Sequence, residues 1–179
     1  ISPAKPAGKR FLLLLVEDHS RLMWGVLRKT KDQALDAFKL VKNQAEKQAE
    51  SSLKSLRTDR GGEFNSKEFK AYCGENGIIH YMTAPYSPQQ NGVVERRNQT
   101  VVSMARSLLK SKNVPGKFWG EAVATAVYLL NRAPTKSLTN ITPYEAWKNK
   151  KPSVQHLRTF GSVAYAKVTK PHLPKLADR

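Results

Sequence analysis

The chain has 179 residues, of which 31 are Lys or Arg and 14 are Asp or Glu, giving a net charge of +17. That length holds one domain with a real core, and the charge favours a polyanionic partner through steering and counterion release. Several classes drop out: Phe11–Val16 is too short to span a bilayer, the single Cys73 excludes an internal disulfide and fits a reducing compartment, and His19, His80, His156 and His172 lack cysteines at zinc-finger spacing.

Residues 1–10 are rich in Pro, Lys and Ala and end in a Gly8-Lys9 turn signal. Phe11–Val16 reads as a strand buried on both faces, its length favouring strand over helix. Asp18-His19-Ser20-Arg21 is a polar break, and Leu22–Leu27 reads as a second strand closing a hairpin. Thr30 with Gln33 three residues on has the form of a capping box. Ala34, Phe38, Val41 and Ala45 then form one apolar face, predicting an amphipathic helix of about 18 residues that ends near Ser51-Ser52. Leu53–Thr58 is a third strand. Asn65 or Ser66 caps a short helix carrying Phe69, Tyr72 and Cys73, which stops at Gly77. Ile78–Met82 is a fourth strand.

Thr83–Gly92 is a loop with two prolines, long enough to suspect function. Helix follows over Val93–Ser111, with Val94, Val101, Ala105 and Leu108 at core spacing. Pro115 opens another, with Phe118, Ala122, Ala126 and Leu129 as its apolar row, ended by Asn131-Arg132-Ala133-Pro134. Thr142-Pro143 starts a short helix through Trp147. Phe160–Val168 alternates like a strand before a basic, Pro-containing tail. Residues 1–150 thus read as a core domain and 151–179 as an extension. The order of elements describes an α/β domain with a mixed sheet. Trp24, Trp119 and Trp147 read as core residues, and His80 as structural.

The chemistry gathers between Leu56 and Asn98. Asp59 stands where an apolar segment gives way to Gly61-Gly62, as at a strand end, and Glu95 stands in the opening turn of a helix. Thirty-five residues separate them. By itself an Asp before Gly-Gly is a turn residue, and a Glu in a first helical turn complements the macrodipole. Against these bland readings stand the joint spacing and the flanks Thr58-Asp59-Arg60-Gly61 and Gln90-Asn91-Gly92-Val93-Val94-Glu95, which carry the family resemblance given below. Carboxylates are the ligands Mg²⁺ selects, and paired divalent ions stabilise the attacking and leaving oxygens of an in-line phosphoryl transfer. On the helix of Glu95, Arg96, Ser103 and Lys110 recur every seven residues, with Arg97, Asn98 and Arg106 beside them, a pattern that can meet phosphates. Arg60 adds a cation next to Asp59.

These residues resemble the catalytic core of a retroviral-type integrase, specifically that of a copia-type LTR retrotransposon. The likeness extends to Trp119–Pro134, to Thr142-Pro-Tyr-Glu-Ala-Trp147 and to His156-Leu-Arg-Thr-Phe-Gly161, nearly the whole chain. It implies a ribonuclease H-like fold, a five-stranded mixed sheet with helices on both sides. It implies Asp59 and Glu95 as catalytic residues holding Mg²⁺ or Mn²⁺, two ions in the complete site. It also implies a DNA-contacting loop through Tyr86, Ser87, Gln89, Gln90 and Asn91. The partners expected are retroelement cDNA ends, target DNA, further copies of the chain and the other integrase domains of a Gag-Pol polyprotein, in a cytoplasmic particle and the nucleus. The family's first Asp precedes the Gly-Lys turn, where this chain has only Ile-Ser-Pro-Ala-Lys-Pro-Ala. The expectation is that the first strand is truncated and that this carboxylate lies upstream. Asp18, Glu17 and Glu63 are turn residues rather than substitutes. The alternatives are a non-catalytic nucleic-acid-binding remnant and a transposase or ribonuclease on the same fold.

Overall fold

Strand β1, Phe11–Val16, is apolar on every residue because both of its faces are covered. In the computed structural model, which describes residues 8–84 and 91–165, Leu14 belongs to a first core cluster with Met23, Val101, Ala105, Trp119 and Ala126. Its neighbour Leu15, on the opposite face by strand alternation, packs against a second cluster of Phe38, Phe69, Cys73 and Ile78. Two cores therefore share one strand as their wall.

β1 pairs antiparallel with β2, Met23–Arg28, from Phe11↔Arg28 to Val16↔Met23. Helix α1 spans Ala34–Ala49 and turns Ala34, Ala37, Phe38 and Val41 inward. β3, Ser55–Thr58, pairs in parallel with β4, Ile79–Met82, across helix α2, Lys67–Glu75. Such a crossover is what a parallel pair demands. Helices α3, Gly92–Ser111, and α4, Trp119–Leu130, pack on each other, and both feed the first cluster. A 3₁₀ turn, Gly116–Phe118, leads into α4, and α5, Pro143–Lys148, completes the described elements.

The mixed sheet of the sequence reading is present as one antiparallel and one parallel pair, and no strand joins them among the described residues. Helices and strands otherwise fall within a few residues of expectation, Thr142 capping α5 as expected, with two differences. The Thr30/Gln33 capping box does not form: α1 starts after Gln33, whose side-chain oxygen accepts from Lys29 N (2.9 Å), so the glutamine closes the preceding turn. A capping box does form at Thr142, which accepts from Glu145 N (3.1 Å), while the Glu145 carboxylate accepts from Thr142 N (2.8 Å). The strand expected over Phe160–Val168 is absent across its described part, residues 160–165. Phe160 packs onto the first cluster instead, and Val163 and Tyr165 are exposed.

One buried side chain ties α4 to the hairpin. Asn131, just past α4, accepts from Met23 N (2.9 Å) and donates to Met23 O (2.8 Å), meeting both backbone needs at the start of β2. Asn131→Ala leaves two buried backbone groups unpaired and is expected to cost about 2–4 kcal/mol. Urea unfolding reads this directly, and a change within error of zero contradicts it.

Candidate active site

The exit from β3 is fixed by three contacts. Thr83 N donates to Thr58 O (3.1 Å), Arg60 Nε donates to Thr83 O (2.9 Å), and the Thr58 hydroxyl meets His80 Nε2 (2.9 Å). They clamp the ends of the parallel pair together and deliver Asp59 to the surface. Asp59 is exposed, and its Oδ1 accepts from Gly61 N (3.0 Å), a turn closed by the carboxylate itself.

Gly61 explains itself here. A Cβ on it would meet Asp59 Oδ1 at 3.0 Å and Glu63 Oε2 at 3.1 Å. The two oxygens thus flank one open point, and any larger residue would fill it. Glu63, read from sequence as a turn residue, has its carboxylate beside that of Asp59. Arg28, within electrostatic reach of Glu63, is buried at the end of β2, with Nη1 donating to Lys31 O (2.8 Å). Burial lowers the Arg28 pKa from its ordinary value, and the charge of Glu63 acts in the opposite sense. Sequence reasoning passed over Arg28. Its one signal was a cation closing an otherwise apolar strand.

Glu95 is exposed in the first turn of α3 and makes no hydrogen bond or ion pair with a described residue. Asn91 is the N-cap residue of that helix without a side-chain cap bond. The Arg96 guanidinium folds back over the helix start, its Nη1 lying 3.0 Å from where a Gly92 Cβ would be. Arg97 turns the other way and is half-buried, its Nη2 donating to Thr135 Oγ1 (2.8 Å). Burial lowers its pKa, and neighbouring Arg21 lowers it further. Asn98 is half-buried, while Arg106 and Lys110 are exposed farther along α3. Tyr86, Ser87, Gln89 and Gln90 lie outside the described residues. The predicted residues thus sit at two points of the fold: Asp59 with Glu63 and Arg60 at the β3 exit, and Glu95 with the arginines at the α3 start. Among the described residues no group of three or more His, Cys, Asp or Glu is placed to hold a metal ion.

The family description "integrase core domain" matches residues 1–88, a span that includes Asp59 and stops before Glu95. The retrovirus-related Pol polyprotein from transposon TNT 1-94 of Nicotiana tabacum is 43% identical over 172 residues, 96% of this chain. The chain belongs to the integrase core family. A second copia-type relative, the Pol polyprotein from transposon RE2 of Arabidopsis thaliana, is 31% identical over 95% of the chain. The chain spans only 13% and 12% of the length of those two polyproteins.

Solved structures agree on the fold. The HTLV-2 integrase catalytic core domain in complex with magnesium, in its trimeric form, superposes with a TM-score of 0.59 at 22% identity, covering 76% of this chain and 83% of that one. A chain of the simian T-cell lymphotropic virus intasome in complex with PP2A regulatory subunit B56 gamma gives 0.61 at 22%, covering 87% of this chain and 51% of that one. The integrase core here thus has the ribonuclease H-like α/β fold of retroviral integrase cores.

His80 keeps the structural part that sequence assigned to it. Burial lowers its pKa below the ordinary 6.5, and Lys70 adds to the effect. The folded state thus disfavours the imidazolium, and the unfolded chain takes up the proton at higher pH. This contribution to stability is complete above about pH 6.5 and is lost as pH falls through the lowered folded value. His80→Gln is expected to flatten the fall of Tm between about pH 6.5 and 5. An acid limb parallel to that of the parent chain contradicts this.

Proposed function

We propose that this integrase core carries out metal-dependent phosphoryl transfer, joining retroelement cDNA 3′ ends to target DNA, with Asp59 and Glu95 as its carboxylates. The observation carrying this reading is Asp59 held exposed at the β3 exit with the space before its carboxylate kept open by Gly61. Glu95 joins it by spacing and by its exposure in the first turn of α3.

The residues at the β3 exit fit a hard divalent cation. The donors are carboxylate oxygens, the kind Mg²⁺ and Mn²⁺ select, and a side chain at Gly61 would obstruct the point that two of them flank. Asp59 would hold the ion there, and Glu95 would complete its ligands from α3. When bound, it supplies charge for the attacking and departing oxygens of an in-line displacement. The chain's own work is binding and orientation. The Asp59–Gly61 turn fixes the carboxylate's direction before substrate arrives. Arg96, Arg106 and Lys110 on α3, with Arg60 at the strand exit, attract and register the phosphate backbone. Asn98, with Asn91 and the loop residues Tyr86, Ser87, Gln89 and Gln90, would contact DNA at the α3 start, and Arg97, bonded to Thr135, would hold that helix start in place.

Two cDNA ends handled together call for a multimer. The HTLV-2 core solved in dimeric and trimeric forms supports that part of the reading. The working place proposed is a cytoplasmic particle and then the nucleus.

The test is Mn²⁺-dependent joining of labelled DNA ends by the polypeptide that carries this core. Asp59→Asn and Glu95→Gln should each reduce joining by roughly a thousandfold or more while DNA binding persists. Joining that survives both substitutions contradicts the assignment. Salt-dependent binding without any joining favours the alternative, a nucleic-acid-binding remnant.

A further inference from the structure

The parallel pair β3–β4 has one face turned inward and one turned out. Leu56 packs against the second core cluster, and Thr58 and His80 meet by a hydrogen bond. Alternation then directs Ser55, Arg57, Ile79 and Tyr81 to the opposite face, and all four are exposed. Two of them are large and apolar: Ile79 is 58% and Tyr81 51% exposed. Register sets Ile79 beside Ser55 and Tyr81 beside Arg57. Asp59 continues the row of Ser55 and Arg57, one two-residue step and roughly 7 Å farther along.

The exposed Ile79–Tyr81 pair gives this sheet face an apolar strip that a partner with flat apolar faces could cover. Its surroundings choose the occupant. Lys54, whose carbonyl accepts from Ile79 N (3.0 Å), adjoins the start of the pair, Arg57 lies within it and Arg60 follows its end. The chain as a whole carries +17. A flat aromatic among cations suits a polyanion that also has flat, apolar faces, and aromatic rings accept any base by stacking. The row leads directly to the candidate catalytic carboxylate.

We propose that the outer face of β3–β4 is a platform for an unpaired stretch of nucleic acid, one base stacking on the Tyr81 ring and the strand running on toward Asp59. This rests on the DNA-joining reading above and adds to it a preference for frayed or single-stranded ends. Ile79 supplies the apolar floor for a neighbouring base, and Arg57 the cation for the phosphate between.

The experiment is fluorescence anisotropy of this chain with a labelled 12-nucleotide single strand and with a blunt duplex of equal length, across a salt series. Tyr81→Ala is expected to weaken single-strand binding by roughly tenfold with little change in salt slope, and Tyr81→Phe to bind as the parent does. Arg57→Gln should lower that slope by about 0.7. Equal single-strand affinity in Tyr81→Ala and the parent chain overturns the platform and leaves the DNA-joining reading standing. Loss in Tyr81→Phe equal to that in Tyr81→Ala also overturns stacking. Absence of DNA binding by the parent chain sinks both readings. Self-association in sedimentation that Tyr81→Ala abolishes, with DNA binding unchanged, replaces the platform with a protein contact.

Discussion

Everything in this domain depends on β1 being apolar on both faces. Leu14 closes the core built by α3 and α4, and Leu15 lies against the core built by α1, α2 and the parallel pair. The two candidate carboxylates come from elements that belong to different cores. Asp59 leaves β3, which belongs to the second core, and Glu95 opens α3, which belongs to the first. Whatever fixes β1 between the cores therefore fixes the relation of one carboxylate to the other. A polar residue at Leu14 or Leu15 would act on the site from a distance by loosening this wall.

Around that constraint the site is built from small, specific devices. The Arg60 contact to the Thr83 carbonyl and the Thr58–His80 hydrogen bond bind the strand ends together, so Asp59 emerges from a rigid edge. Gly61 keeps space before the Asp59 and Glu63 carboxylates, and buried Arg28 adds a positive charge nearby. On α3 the adjacent arginines divide their tasks. Arg97 reaches Thr135 and secures the loop after α4, while Arg96 stays over the exposed helix start. Adjacent cations on a helix point about 100° apart, so one can hold the fold while the other faces a polyanion.

Much of this was legible in the sequence because it is local or periodic. The unbroken Phe11–Val16 run announced a strand with two covered faces, and the 3.6-residue rows of α1 and α3 announced their inner sides, whereas of the row expected for α4 only Ala122 and Ala126 are buried and Phe118 is exposed. Asp59 at a strand exit followed from the Gly pair behind it. What escaped depends on partners far along the chain. Thr30 with Gln33 has the same form as Thr142 with Glu145, yet only the latter caps a helix, because Gln33 is drawn into the turn at Lys29. Residues 160–165 alternate as a strand would, but alternation does not supply an edge to pair with. The electrostatic effect of Glu63 on Arg28 was not legible, since it joins residues far apart along the chain.

The central claim is that Asp59 and Glu95 serve one divalent ion site. It is tested most directly by titrating Mn²⁺ into isotopically labelled protein and following the paramagnetic broadening of backbone amide signals. The account predicts that amides of residues 59–63 and 92–96 broaden together at low Mn²⁺, and that Asp59→Asn weakens the effect at both segments. Broadening confined to one segment, or centred elsewhere and indifferent to Asp59→Asn, would contradict it.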